Sequence, residues 1–207
     1  MIPLFVTVAI AEIISVAADW TVLQWITKPL LAPLLIVYLL RYQRPGLVVV
    51  ALGFATAGDI ALLIPGQSAF LAGMLCFLGA QVCFIVAFLR RARPVRLAFA
   101  GYGLIWVLAN ALLWDRLGAL RVPVLLYSLA LIAMAAAAAG VSRRVAVGGA
   151  LFVVSDLLIG MGAAGLRAPA HGALVMTTYV AALALIVTGW VREHRAAAPL
   201  AASALPG

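Results

Sequence analysis

Residues 68–89 read SAFLAGMLCFLGAQVCFIVAFL, and residues 90–96 read RRARPVR. The first stretch carries no charge and a single amide, Gln81. At about 1.5 Å per helical residue it is long enough to cross a hydrocarbon core of roughly 30 Å. The second gathers four arginines around Pro94, the pattern of a short cytoplasmic loop. Working outward in both directions, the same alternation recurs. Charges, prolines and glycines cut the chain into apolar segments at 2–18, 21–40, 46–64, 68–89, 95–114, 121–140, 144–163 and 170–191. The expected fold is all-α, a polytopic membrane bundle of about eight transmembrane helices. Residues 1–195 are expected to form a single transmembrane helical domain. Residues 196–207, rich in Ala and Pro, are expected to form a disordered cytoplasmic tail.

Composition agrees. Of 207 residues 67% are hydrophobic and 10% charged, with mean hydropathy +1.22; a soluble domain is nearer half apolar and a quarter charged. The net charge of +8 does not point to nucleic acid, because the basic residues lie in clusters between apolar runs rather than along a stripe or arm. Ten arginines (41, 44, 90, 91, 93, 96, 143, 144, 192 and 195) fall on one side of the alternation and three (116, 121 and 167) on the other. The arginine-rich side should be cytoplasmic, with both termini there. Arginine so far outnumbering lysine, in an Ala- and Gly-rich chain, suggests a GC-rich bacterium and its cytoplasmic membrane.

The first segment resembles a signal peptide only at Ser15-Val16-Ala17; no basic residue precedes it and Glu12 interrupts it, so it reads as a retained helix. Cys76 and Cys83 lie about 10 Å apart along one helix, too far for a disulfide. With 2 His and 2 Cys, none at ligand spacing, no metal site or other cofactor is expected.

The ionisable residues inside the segments carry the functional signal. They are Glu12, Lys28, Asp59 and Asp156. Each costs on the order of 3 kcal/mol at bilayer depth even on lenient scales, so each should face the bundle interior with a partner. Counted from the arginine-poor side, all four sit roughly 9–10 Å below the boundary. Four separate segments thus place a charge in one layer, which points to a shared polar pocket opening on that side. Glu12 can instead snorkel to the surface. Tyr179 can line the pocket or simply pack, and His171 reads as an interfacial residue. Lys28-Pro29 should bend its helix and leave room for a ligand or water.

Thr27-Lys28-Pro29-Leu30, Gly58-Asp59 and Gly149-Ala150-Leu151-Phe152-Val153-Val154-Ser155-Asp156, in this order and spacing, resemble the YhhN family, which includes the mammalian lysoplasmalogenases. The resemblance covers nearly the whole chain. It implies hydrolysis of the vinyl ether bond of lysoplasmalogen to a fatty aldehyde and a glycerophospho-head group. It also implies that Asp59 and Asp156 are the catalytic pair and Lys28 the membrane lysine. Gln81 stands where many members carry His, and Ala182 where many carry Gln. Gln81 can hydrogen-bond but cannot shuttle a proton at neutral pH.

The chemistry suits such a pocket. Vinyl ether hydrolysis needs a proton delivered to carbon and water added to an oxocarbenium ion. A carboxyl group kept protonated in a low-dielectric site can supply the first. An ionised second carboxylate can stabilise the cation, a logic shared with glycoside hydrolysis. We assign Asp156 as acid and Asp59 as the carboxylate paired with Lys28; the reverse stays open. Glu12, Gln81 and Tyr179 are the further candidates for substrate binding or charge pairing, and the expected partners are a lysophospholipid and membrane lipid. A rival reading is a proton-coupled or lipid transporter. Buried carboxylates can form a proton relay, and the echo of Gly58-Asp59-Ile60 in Ser155-Asp156-Leu157 can mark two halves.

Overall fold

The computed structural model describes residues 1–203, with side chains through residue 196. Its α-helices are α1 (Ile2–Ala17), α2 (Thr21–Leu40), α3 (Leu47–Leu63), α4 (Gln67–Arg91), α5 (Arg96–Leu113), α6 (Arg121–Ala138), α7 (Arg143–Ala163) and α8 (His171–Ser203). Two short 3-10 turns, Trp114–Arg116 and Gly118–Leu120, join α5 to α6. Among the described residues there is no strand. A chain in lipid must satisfy its backbone polar groups within itself, and helices do so residue by residue. Six helices are long and apolar enough to span a membrane, and α1 and α3 are shorter apolar helices of the same bundle. This is an integral membrane architecture.

The helices fall close to the expected segments, except that α8 runs on past Arg192 and Arg195 to Ser203. The tail expected over 196–207 begins inside this helix, and 204–207 lie outside the described residues. The helix also continues through both prolines of α2, Pro29 and Pro33.

Packing closes a ring. Each of α1, α2, α3 and α4 packs on the next, α4 then packs on α6, α6 on α7, α7 on α8, and α8 returns to α1 and α2. The fifth helix is left outside: it packs on α6, touches α7 lightly and makes little contact with α4. The tight seams depend on small residues, which let backbones approach where lipid offers no hydrophobic drive. Consecutive glycines set α7 between its neighbours. A Cβ at Gly149 would lie 3.0 Å from the Ala138 side chain of α6, and one at Gly148 would lie 2.9 Å from the Ala182 carbonyl oxygen of α8. Large apolar side chains such as Val22, Leu75, Leu97 and Leu112 stay exposed around the outside, where lipid solvates them.

Candidate active site

Three polar groups stand at about one level of the bundle, nearer its arginine-poor end. The first joins α1 to α2. Glu12 is fully buried; its Oε2 lies 2.5 Å from Thr27 Oγ1 and 3.2 Å from Ser15 Oγ. It therefore does not snorkel: Thr27 and Ser15 hold it inward. The second joins α3 to α8, where the Tyr179 hydroxyl donates to Asp59 Oδ2 at 2.7 Å. The third joins α6 to α7, where the Tyr127 hydroxyl donates to Asp156 Oδ2 in a short hydrogen bond. Beside it the buried Ser155 hydroxyl donates to the Val175 carbonyl (3.2 Å) and pins this turn of α7 to α8.

These groups are coupled. Asp59 and Asp156 are near enough to interact electrostatically, and Lys28 and Glu12 both lie within electrostatic reach of Asp59. A direct Lys28–Asp59 pair is not formed. Lys28 is half-buried, and the ion pair found among the described residues joins Arg121 to Asp115 at 3.6 Å. Equal depth brought the lysine to the right level, but the turn of α2 about its axis directs Thr27, not Lys28, into the tightest contact. Asp59 is instead met by the Tyr179 hydroxyl.

The two aspartates also differ in access. A pocket with a cavity volume of about 90 Å³ lies between α4, α5, α6 and α7. Asp156, Tyr127, Asn110 and Ser128 are on its wall among apolar side chains including Met74 and Leu131. Asp59 is not on that wall and is 2% exposed. Tyr179 belongs to a cluster of three rings packed edge to face: Phe77–Tyr179 at 6.0 Å, Phe152–Tyr179 at 5.7 Å and Phe77–Phe152 at 6.4 Å. Such contacts fix ring orientation as well as area. Gly58 allows Phe77 into this place, since a Cβ there would lie 2.7 Å from the ring. Of the two aspartates expected to share one chamber, Asp156 lies on the wall of this pocket, while Asp59 does not and is met by the Tyr179 hydroxyl.

Tyr179 is therefore more than a packing residue. Gln81 is fully buried beside Tyr127, but neither of its amide atoms makes a hydrogen bond of ordinary geometry. His171 packs against Gly162 near the start of α8, away from the pocket wall. Tyr127, Ser128 and Asn110 escaped the reading of the sequence. Tyr127 and Ser128 had a usable signal, since they lie six and seven residues from the arginine-poor end of α6, the level shared by the charged groups.

The sequence profile of the YhhN family matches residues 23–190. The chain belongs to the YhhN family. The matched span contains Lys28, Asp59, Gln81, Tyr127, Asp156 and Tyr179, and leaves out Glu12 and Ser15. Within reach of this YhhN-family chain are proteins of Mycobacterium bovis and Mycobacterium tuberculosis, each named lysoplasmalogenase. Each is 37% identical to it over 153 residues, which make up 68% of this chain and 58% of the relative. The chain thus spans little more than half the length of these curated relatives. No solved structure matches it.

Proposed function

We propose that this YhhN-family protein is a membrane-embedded lysoplasmalogenase, a hydrolase that cleaves the vinyl ether bond of a 1-alkenyl lysophospholipid. One observation carries the reading: Asp156, held by Tyr127, is the one carboxyl group on the wall of the apolar pocket among the described residues. The names of the mycobacterial relatives support the substrate class.

In the proposed reaction Asp156 is protonated. It transfers this proton to the vinyl carbon distal to the ether oxygen, and the adjacent carbon becomes an oxocarbenium ion. Water adds to that carbon and returns a proton to the site. The resulting hemiacetal breaks its bond to the glycerol oxygen, giving a fatty aldehyde and a glycerophospho-head group. One water is consumed in all. The Tyr127 hydroxyl, already donating to Oδ2, stabilises the carboxylate left by proton transfer. Asp59 works at one remove, as an ionised carboxylate held by Tyr179 with Lys28 in electrostatic reach. In a medium of low dielectric its negative charge favours the cation developing nearby. One carboxyl group is thus protonated and the other charged, the division of roles that proton transfer and cation stabilisation require.

Purified protein in detergent, given lysoplasmenylethanolamine, tests this directly. Release of fatty aldehyde supports it. Absence of aldehyde, with proton-driven flux in liposomes, supports a transporter instead.

The pocket is lined by the arginine-poor half of the bundle, the side we take as the outside of a bacterial cytoplasmic membrane, with the arginine-rich loops in the cytoplasm. An impermeant maleimide added to whole cells should label the Arg116→Cys variant and reach the Arg93→Cys variant only after lysis. The opposite pattern would reverse the orientation.

A further inference from the structure

A second cavity, of about 260 Å³, lies at the arginine-rich end, between the α2–α3 loop, the start of α3 and α8. Val48 on its wall stands eleven residues before Asp59 in α3, about 16 Å along the axis. The phosphate and the vinyl ether of a lysophospholipid are less than about 10 Å apart at ordinary covalent geometry. A substrate reacting at the level of Asp59 and Asp156 therefore does not place its phosphate here. This cavity is a separate site.

Its wall suits an anion. Gly46, Leu47 and Val48 bring the N-terminus of α3 to it. Gly46 has no side chain to cap this 17-residue helix, and its carbonyl receives the amides of Val49 and Val50. The amides of Leu47 and Val48 find no acceptor among the described residues. Free amides and the helix dipole together favour negative charge at such an end. Arg44 adds an exposed guanidinium that no carboxylate approaches within 4.0 Å among the described residues. Trp190 is 6% exposed on the same wall, and its indole N–H, which can only donate, has no acceptor among the described residues. The His194 ring packs on that of Trp190 with centroids 4.7 Å apart. Its Nδ1 lies 3.1 Å from the Trp190 carbonyl, which only accepts, so Nδ1 carries a hydrogen and Nε2 is uncommitted. The one dissenting atom is Gln43 Oε1, buried without a donor; turning the amide puts Nε2 there in the same shape. Glu193, the one acid at this end of the sequence, is not on the wall.

We propose that this cavity binds a phosphate group, carried by an anionic phospholipid or by a soluble phosphate. Phosphate offers several charged acceptor oxygens at once, which a guanidinium and the amides of a helix end can share. Basic pockets between helices at the arginine-rich end of membrane proteins hold phospholipid head groups in this manner. The proposal concerns the opposite end of the bundle from Asp156 and stands apart from the hydrolase reading.

Calorimetric titration of the intact protein in a neutral detergent, at fixed ionic strength, tests it. Inorganic phosphate and dioleoyl phosphatidic acid are the two probes, with dioleoylglycerol as the phosphate-free lipid. Saturable binding of phosphatidic acid alone supports a lipid source, of inorganic phosphate alone a soluble one, and of both a site open to either. Arg44→Gln should weaken the probe that binds about 10-fold, the effect of losing a charge-assisted contact. Arg96→Gln removes an exposed arginine of the same end that is off the cavity wall, and should change binding less than about 2-fold. Gly46→Asp should abolish binding and leave thermal unfolding no lower than in the wild type. The backbone there is extended, an added Cβ meets nothing within 4 Å, and aspartate is a favoured cap whose carboxylate takes the α3 amides itself. Three results would overturn the proposal: no saturable binding of either probe, equal losses in the two arginine variants, or undiminished binding by folded Gly46→Asp.

Discussion

Replacing Asp156 by Asn should lower aldehyde release from lysoplasmenylethanolamine by about 10³-fold, within the range spanned by general-acid catalysis. The substitution is nearly isosteric, and the new amide oxygen can still accept the Tyr127 hydroxyl now bound to Oδ2. What disappears is a proton that can be transferred to carbon. Thermal unfolding should stay near that of the wild type, because neither the α6–α7 seam nor the α7–α8 seam loses a contact. Asp59→Asn serves as the comparison. Asp59 does not line the pocket, and its asparagine can still accept the Tyr179 hydroxyl, so only the field of its charge is removed. A fall of about 10- to 100-fold is expected, the size of a few kcal/mol or less of electrostatic stabilisation. Initial rates for both variants in one preparation decide the matter. A larger loss in Asp59→Asn than in Asp156→Asn would exchange their roles.

The second large effect is structural and reaches the site through the helices. Gly148→Val should destabilise the protein by about 3 kcal/mol and abolish activity, at the upper end of what overpacking costs. A Cβ at this position would lie 2.8 Å from Ile186 Cγ1 and 2.9 Å from both the Ala182 carbonyl oxygen and the Ile186 nitrogen. A side chain can turn away, but the α8 backbone cannot. The α7 helix would be pushed off α8, and with it Ser155 from Val175 and Phe152 from the Tyr179 ring. Thermal unfolding in detergent measures the loss. Gly53→Ala, where nothing lies within 4 Å of the added Cβ, should unfold within a degree or two of the wild type. Equal stability of the two variants would show that the α7–α8 approach is not tight.

The membrane architecture was legible because its chemistry is written along the chain: apolar length, then arginine, then turn residues. Depth was legible too, since a fixed rise per residue places Glu12, Lys28, Asp59 and Asp156 at one level. Rotation about each helix axis was not. It decides that Thr27 rather than Lys28 meets Glu12 closely, and that Asp59 turns toward Tyr179 rather than into the pocket. The pocket itself depends on α4 passing over its sequence neighbour α5 to pack on α6, a tertiary choice that no local pattern announces. Comparing depths among charged groups alone also hid Tyr127, Ser128 and Asn110, which share that level. In a dry bundle a tyrosine, serine or asparagine needs a partner as surely as an acid does.

Vinyl ether cleavage by proton transfer to carbon leaves an isotopic signature. Turnover of a lysoplasmalogen in heavy water, with the aldehyde reduced at once to its alcohol, should place one deuterium on the carbon next to the former carbonyl. In oxygen-18 water the glycerophospho product should keep its original oxygen. Heavy oxygen in the glycerol product, or a fatty product without that deuterium, would contradict protonation by Asp156.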